Sequence, residues 1–233
     1  MIDTYISIDL ETTGLDPKRD RIIEIGAVRV EDGIRTGEFE TFINPGRRLE
    51  ERIVELTGIT DEQLNNAPRI TEVMPQLLEF MGDAPLLGHH VIFDYSFLKK
   101  AAVDQKLPFE RRGIDTLKIA RKYLPQLEHR SLDYLCEYYG IEHHAHRALA
   151  DAKATEELYR HLADLYFTPE ENLFAPAQLI YHAKRDTPAT KAQKEQLLRL
   201  AELHKIELCV DVEELTRSEA SRLADKIRSH SCT

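Results

Sequence analysis

The sequence is short of cysteine, of positive charge and of long apolar runs. Its three cysteines, Cys136, Cys209 and Cys232, are far apart, odd in number and without metal-ligand spacing. That excludes a disulfide framework and points to a reducing compartment. No apolar run approaches the roughly 18 residues that a membrane span needs. The N-terminus lacks a basic stretch followed by an apolar one, so no secretory signal is expected. The expectation is a cytoplasmic protein with no membrane partner. Acidic residues outnumber basic ones, 41 to 31, for a formal net charge of −10. This counts against tight non-specific binding to nucleic acid, which rests on basic surface. It does not exclude a nuclease, because carboxylates that bind cations invert their local field.

What is present is enough for a real core. The chain has 233 residues, 42% of them hydrophobic and 31% charged. That suits one large domain, or one domain with a small appendage. Tyr5 to Leu10 is an apolar, β-branched run and reads as a buried strand. Ile22 to Val30 and Ile34 to Ile43 read as two more strands, joined by the turn pair Asp32-Gly33. Three strands with short turns form an antiparallel meander. Helical patterns follow. Thr60 with Gln63 has capping-box spacing. Ile70 to Met81 has apolar residues at helical spacing, and Phe93 to Val103 opens another helix after the short apolar strand Ala84 to Leu87. Asp115-Thr116 reads as a helix cap, and Ser131 as the cap of Leu132 to Tyr139 with Gly140 as its stop. Tyr134, Tyr138 and Tyr139 on that helix read as core and rim. Ala148 to Phe167 carries one broad apolar stripe. A meander followed by alternating helices and strands is a mixed-sheet α/β domain.

The acids stand out against this background. Asp9 and Glu11 lie at the far end of the first strand, and residues two apart in a strand point to one side. Two like charges aimed at one point repel unless a cation lies between them, and a hard divalent cation prefers oxygen ligands. Thr12, Thr13 and Gly14 then turn the chain and are expected to leave backbone N–H groups free. A second stretch, Gly88-His89-His90-Val91-Ile92-Phe93-Asp94, leads from a short strand into a helix. It places Asp94 in the first helical turn, where the helix dipole favours a carboxylate. A third, His146-Arg147-Ala148-Leu149-Ala150-Asp151-Ala152, puts a His on a lead-in and an Asp on the following helix. His143 and His144, just upstream, read as solvated. So do the Arg47-Arg48 and Arg111-Arg112 pairs.

Together these segments resemble the DEDDh family of 3′→5′ exonucleases, over roughly residues 1–167. The matching segments are Asp9-Leu10-Glu11-Thr12-Thr13-Gly14, Gly88-His89 through Phe93-Asp94, and His146 through Ala152, in the family's order. The resemblance implies a ribonuclease-H-like fold, a five-stranded mixed sheet flanked by helices. It implies two Mg²⁺ or Mn²⁺ ions held by Asp9, Glu11, Asp94 and Asp151. It implies His146 as the base that takes a proton from the attacking water, a role suited to a reference pKa of about 6.5. It implies that Thr12, Thr13, Gly14 and Leu15 grip the 3′ end, with Phe93 against a base. The partners implied are single-stranded or frayed 3′ ends of DNA or RNA. One position departs from the pattern: His90 stands where the family usually has Asn, which puts substrate contacts rather than catalysis in doubt. A phosphatase of the haloacid-dehalogenase type also has acids two apart after its first strand. It needs Asp at the second position, where this chain has Glu11.

The composition shifts after residue 167. Residues 168–189, punctuated by Pro169, Pro176 and Pro188, read as a linker or surface arm. Residues 190–233 read as a small helical accessory module. Thr190 with Gln193 and Thr216 with Glu219 form two capping boxes. Between the two helices, Ile206 to Val212 is either a strand or an extended link. From residue 187 onward there are eight basic and eight acidic residues; taken from 31 and 41, they leave 23 and 33 in the preceding part, which holds the whole acidic excess. This module is a candidate surface for a polymerase or another protein partner. A second function class therefore stays open: an adaptor in which the module is the working surface.

Overall fold

The computed structural model describes residues 2–142 and 146–229, so His143 and His144 lie outside the described residues. Three long strands open the chain: β1, Tyr5–Thr12; β2, Ile22–Glu31; and β3, Ile34–Phe42. They pair antiparallel, as the turn at Asp32-Gly33 requires; both residues there have positive φ (52° and 74°), the geometry of a type I′ hairpin. β4, Leu86–Gly88, and β5, Arg112–Asp115, join β1 in parallel. A short antiparallel strand, β6, Ala177–Gln178, lies on the outer edge of β5. Among the described residues the sheet order is β3-β2-β1-β4-β5-β6. The five expected core strands are there, and the sixth comes from the proline-rich arm.

Helices cover both faces. The helices before β4 are α1, Glu51–Thr57; α2, Asp61–Asn65; and α3, Ile70–Met81. Those after it are α4, Ile92–Asp104; α5, Thr116–Tyr123; α6, Leu132–Tyr139; and α7, Ala148–Tyr166. Strand parity divides the core. Ile6, Ile8, Leu10 and Ile25 pack with Leu77 of α3 and Leu98 of α4. Tyr5, Val28 and Val30 pack on the other face with Leu135 of α6 and Leu158 of α7. On α6 the buried residues are Leu135 and Cys136. Tyr138 is exposed, and Tyr134 and Tyr139 are half-buried at the rim. The helix α1 carries no capping signal: its N-cap is Glu50, whose side chain makes no cap bond. Ile53 inserted beside Ile23, Ile59 and Leu64 holds it.

The first turn of α7 rests directly on β2 at Gly26. A Cβ there would come within 2.1 Å of the backbone of Ala148 and Leu149. No side chain can yield at a backbone contact, so Gly26→Ala is expected to displace the start of α7. It should lower stability by about 2 kcal/mol or more and remove most turnover, both readable from a melting curve and a nuclease assay.

The arm after α7 is partly integrated. Phe174, in the 3-10 turn Asn172–Phe174, is 1% exposed, and Leu179 is 6% exposed over Gly113. Two further helices, α8, Lys191–His204, and α9, Arg217–Ser229, pack on each other around Leu197, Ala220 and Ala224. Among the described residues the stretch between them has no long strand; Val210 and Thr216 make isolated bridges, to Arg47 and Pro188. The pair is fastened to the meander. Asp211 N–H donates to the Gly46 carbonyl (3.2 Å), and Glu219 is buried against Arg47 (2.6 Å) and Arg21. The expectation that the Arg47-Arg48 pair is solvated is therefore corrected for Arg47. Its partner lies far along the chain, where no local pattern could reveal it. Likewise Arg111 donates to the Gly82 carbonyl at 2.8 Å rather than standing in water alone.

Candidate active site

One face of β1 explains how the acids meet. Tyr5, Ser7, Asp9 and Glu11 share that face by period-two alternation, and α7 lies across it. Tyr5 reaches Glu156 of α7 (3.3 Å), and Ser7 donates to the Ala152 carbonyl (2.7 Å). One step further, Asp9 and Glu11 meet Asp151, and ligand oxygens of all three lie within 4.8 Å of one another. Asp94 enters from the first turn of α4, at the end of β4. Its Oδ1 accepts from the Leu10 N–H at 3.1 Å, so the backbone between Asp9 and Glu11 orients it. His146 stands just before α7. Its N–H donates to Asp151 Oδ2 at 3.2 Å. Asp9, Glu11 and Asp151 thus meet at one point, Asp94 is oriented by the β1 backbone, and the backbone of His146 is held by Asp151.

The electrostatics of the cluster are those of crowded, buried like charges. Burial pushes the Asp9 carboxyl well up, and the charges of Asp94, Asp151, Glu11 and Glu24 push it further. Burial also raises Asp94, against the backbone N–H groups that favour its charged form. Burial, then Asp151 and Glu24, raise Glu11 to about 7, with Arg147 opposing. An all-oxygen donor set whose members repel one another fits a hard divalent cation, which removes the repulsion when bound.

The expected substrate-gripping turn is only partly as anticipated. Thr13 N–H is bonded to the Arg21 carbonyl (2.8 Å) and the Thr12 hydroxyl to the Gly14 carbonyl (2.7 Å), so these groups are not free. Gly14 is there for space: a Cβ would meet the Asp20 carboxylate at 2.5 Å. That carboxylate accepts from the Asp16 N–H (2.9 Å) and shapes the turn. Leu15, 85% exposed, is the side chain the turn presents. Phe93 is half-buried, its ring 5.0 Å from that of Phe97. His90 adopts φ +74°, a left-handed conformation in which Asn and His are the better-tolerated side chains. Its N–H donates to Asp115 Oδ1 (3.0 Å), which also caps α5 at Leu117 (3.1 Å). Asp115 is thus a structural cap, as its sequence context indicates.

Sequence reasoning passed over Glu24 and Arg147. Glu24 is completely buried and pairs across the ladder with Glu11. Its signal is an acid flanked by isoleucines, Ile23 and Ile25, near the start of the strand Ile22 to Val30.

The family model described as Exonuclease (RNase_T) matches residues 6–159. The chain belongs to this exonuclease family. With its relatives, the matched domain places it among the 3′→5′ exonucleases of the DEDDh type. The DNA polymerase III subunit epsilon of Aquifex aeolicus is 42% identical over 167 residues, 70% of this chain and 83% of that protein. A PolC-type DNA polymerase III of Clostridium perfringens is 41% identical over 160 residues, 68% of this chain but 11% of that much longer protein. Among solved structures, Exonuclease X in complex with 5′-overhanging duplex DNA superposes with a TM-score of 0.58. It is 26% identical over 71% of this chain and 95% of its own.

Proposed function

We propose that this exonuclease removes nucleotides from the 3′ end of single-stranded or frayed DNA, releasing nucleoside 5′-monophosphates, and that it serves a proofreading or repair role beside a polymerase. The observation that carries the reading is the convergence of Asp9, Glu11 and Asp151 within 4.8 Å, with His146 tied to Asp151. The choice of DNA is supported by the relatives named as DNA polymerase III proteins.

Asp9, Glu11, Asp94 and Asp151 would hold two Mg²⁺ or Mn²⁺ ions. Such ions, when bound, neutralise charge on the scissile phosphate and make a coordinated water more acidic. The protein's own groups do the rest. Asp94, anchored on the Leu10 N–H, and Asp151, on the rigid helix α7, fix the positions of the donors. A ring nitrogen of His146 takes the proton from the attacking water. Leu15, presented in water beside the site, and the edge of Phe93 would bear on the terminal base. The turn from Thr12 to Leu15 would hold the terminal sugar, which limits the cut to chain ends.

A parallel digest of 3′-ended single-stranded DNA, duplex DNA and RNA, each with Mg²⁺ and Mn²⁺, tests the assignment. Single-stranded DNA is expected to be degraded fastest, and EDTA to stop all turnover. His146→Ala is expected to lower kcat by about 100-fold or more, the usual weight of a general base, with metal binding retained. RNA degraded faster than DNA would overturn the substrate assignment. Wild-type kcat in His146→Ala would overturn the role of His146.

A further inference from the structure

Glu24 is the buried charge nearest the site that the proposed chemistry leaves unused. It sits on β2 directly opposite Glu11 and is fully enclosed. Its two oxygens are engaged with one short segment. Oε1 accepts from Arg147 Nε (3.1 Å) and Nη2 (2.9 Å), and Oε2 accepts from the Ala148 N–H (3.1 Å). Ala148 is the first residue of α7, so its N–H is one of the orphan donors at a helix start. Two residues further along β2, Gly26 lets the same turn of α7 press onto the sheet. The Arg147 guanidinium is also 5.4 Å above the Phe42 ring and 3.4 Å from Glu40.

His146 precedes Arg147 and has φ +65°, a left-handed conformation that is strained for a non-glycine residue. Such a conformation persists where its surroundings over-determine it. Here its own N–H is held by Asp151, and the next two residues are held by Glu24. We infer that Glu24, acting through Arg147 and the Ala148 N–H, is a positioning residue that fixes His146 against the carboxylates of β1. This rests on the reading of His146 as the proton acceptor.

A clamp that served only the fold would lower the melting temperature and leave the folded enzyme's kcat unchanged. A positioning clamp moves kcat itself, because a misplacement of about 1 Å costs up to about 100-fold. The two alternatives separate in steady-state kinetics on a 3′-ended single-stranded oligonucleotide at saturating Mn²⁺, well below the melting temperature. Glu24→Gln and Arg147→Met are each expected to lower kcat by about tenfold to 100-fold, with KM within about twofold. The double variant is expected to be no worse than the poorer single one, because both substitutions break one unit. Arg147→Lys keeps the charge but not the paired geometry, and is expected to restore only part of kcat. Arg147 is half-exposed, so its variants keep the test alive if Glu24→Gln fails to fold. Wild-type kcat in Arg147→Met, or multiplying losses in the double variant, would overturn the inference. His146→Ala run alongside tells the two readings apart. If it is inactive while the clamp variants are normal, the clamp alone is wrong; if it is fully active, the role of His146 is wrong.

Discussion

Asp9→Asn is expected to abolish turnover and at the same time to raise the melting temperature of the metal-free protein. Both effects follow from one cluster. Asp9 faces Asp94, Asp151, Glu11 and Glu24, and burial with those charges holds its carboxyl well above the ordinary range. Removing its charge relieves repulsion, and site substitutions of this kind stabilise by about 1 kcal/mol. It also removes an oxygen donor shared by the whole set, so the expected loss in kcat is at least about 1,000-fold. The pH dependence has a definite sign. A carboxyl with a raised folded-state pKa contributes stability at low pH, lost as pH rises through the raised value. For Glu11 that window runs from the ordinary 4.5 to about 7. Metal-free wild type is therefore expected to lose stability between about pH 4.5 and 7, and Asp9→Asn to lose less. Saturating Mg²⁺ at neutral pH is expected to restore wild type and leave Asp9→Asn almost unmoved. Differential scanning fluorimetry with EDTA and with Mg²⁺ reads all of these. An Asp9→Asn protein that melts below metal-free wild type would show that the acids are not in conflict.

Glu219→Ala is expected to release the α8–α9 pair from the exonuclease core. One oxygen of Glu219 takes both Arg21 and Arg47, and the other accepts from the Thr216 N–H at 3.0 Å. The same residue thus caps α9 and seats it. Breaking a largely buried ion cluster from one side costs about 3 kcal/mol, because the remaining charges are left uncompensated. Melting is then expected to split into two steps, the small helical unit first. Burial pushes the Glu219 carboxyl up, but Arg21, the Thr216 bonds and Arg47 more than offset this and leave it below the usual range. Its stabilisation is therefore present above the ordinary carboxylate pKa and lost as pH falls through the lowered one, so acid should loosen the seat too. Arg21 also donates its N–H to the Thr13 hydroxyl at 3.0 Å, which ties the seat to the turn beside the site. Weaker substrate binding, with KM up by about threefold or more, is expected to accompany the release. One transition at the wild-type temperature would show that Glu219 does not hold the unit.

The site was legible where local rules reach. Asp9 and Glu11 declared their shared face by strand parity. Thr60, Ser131, Thr190 and Thr216 declared helix starts by capping chemistry, and the described helices begin where those caps stand. The Asp32-Gly33 turn declared the meander. The parts missed depend on distance. Glu24 looks like an interruption in an apolar strand until Arg147, 123 residues later, closes on it. Arg47 looks solvated until Glu219, 172 residues later, arrives. β6 buries little of its own, so no periodicity marks it; pairing with β5 alone defines it. After Thr12 the chain leaves the strand as the sequence indicates, but the Thr13 N–H is taken by the distant Arg21 carbonyl, which no local pattern shows.

The proposed activity is metal-dependent removal of nucleotides from a 3′ end. Its most direct measurement is a time course on a single-stranded DNA oligonucleotide labelled at its 5′ end, with Mg²⁺, alongside the same strand ending in a 3′-phosphate. The expected result is a ladder of products shortened one nucleotide at a time, nucleoside 5′-monophosphates in solution, no cutting in EDTA and strong inhibition by the 3′-phosphate. Release of the labelled end as the first product, or cutting that persists in EDTA, would contradict it.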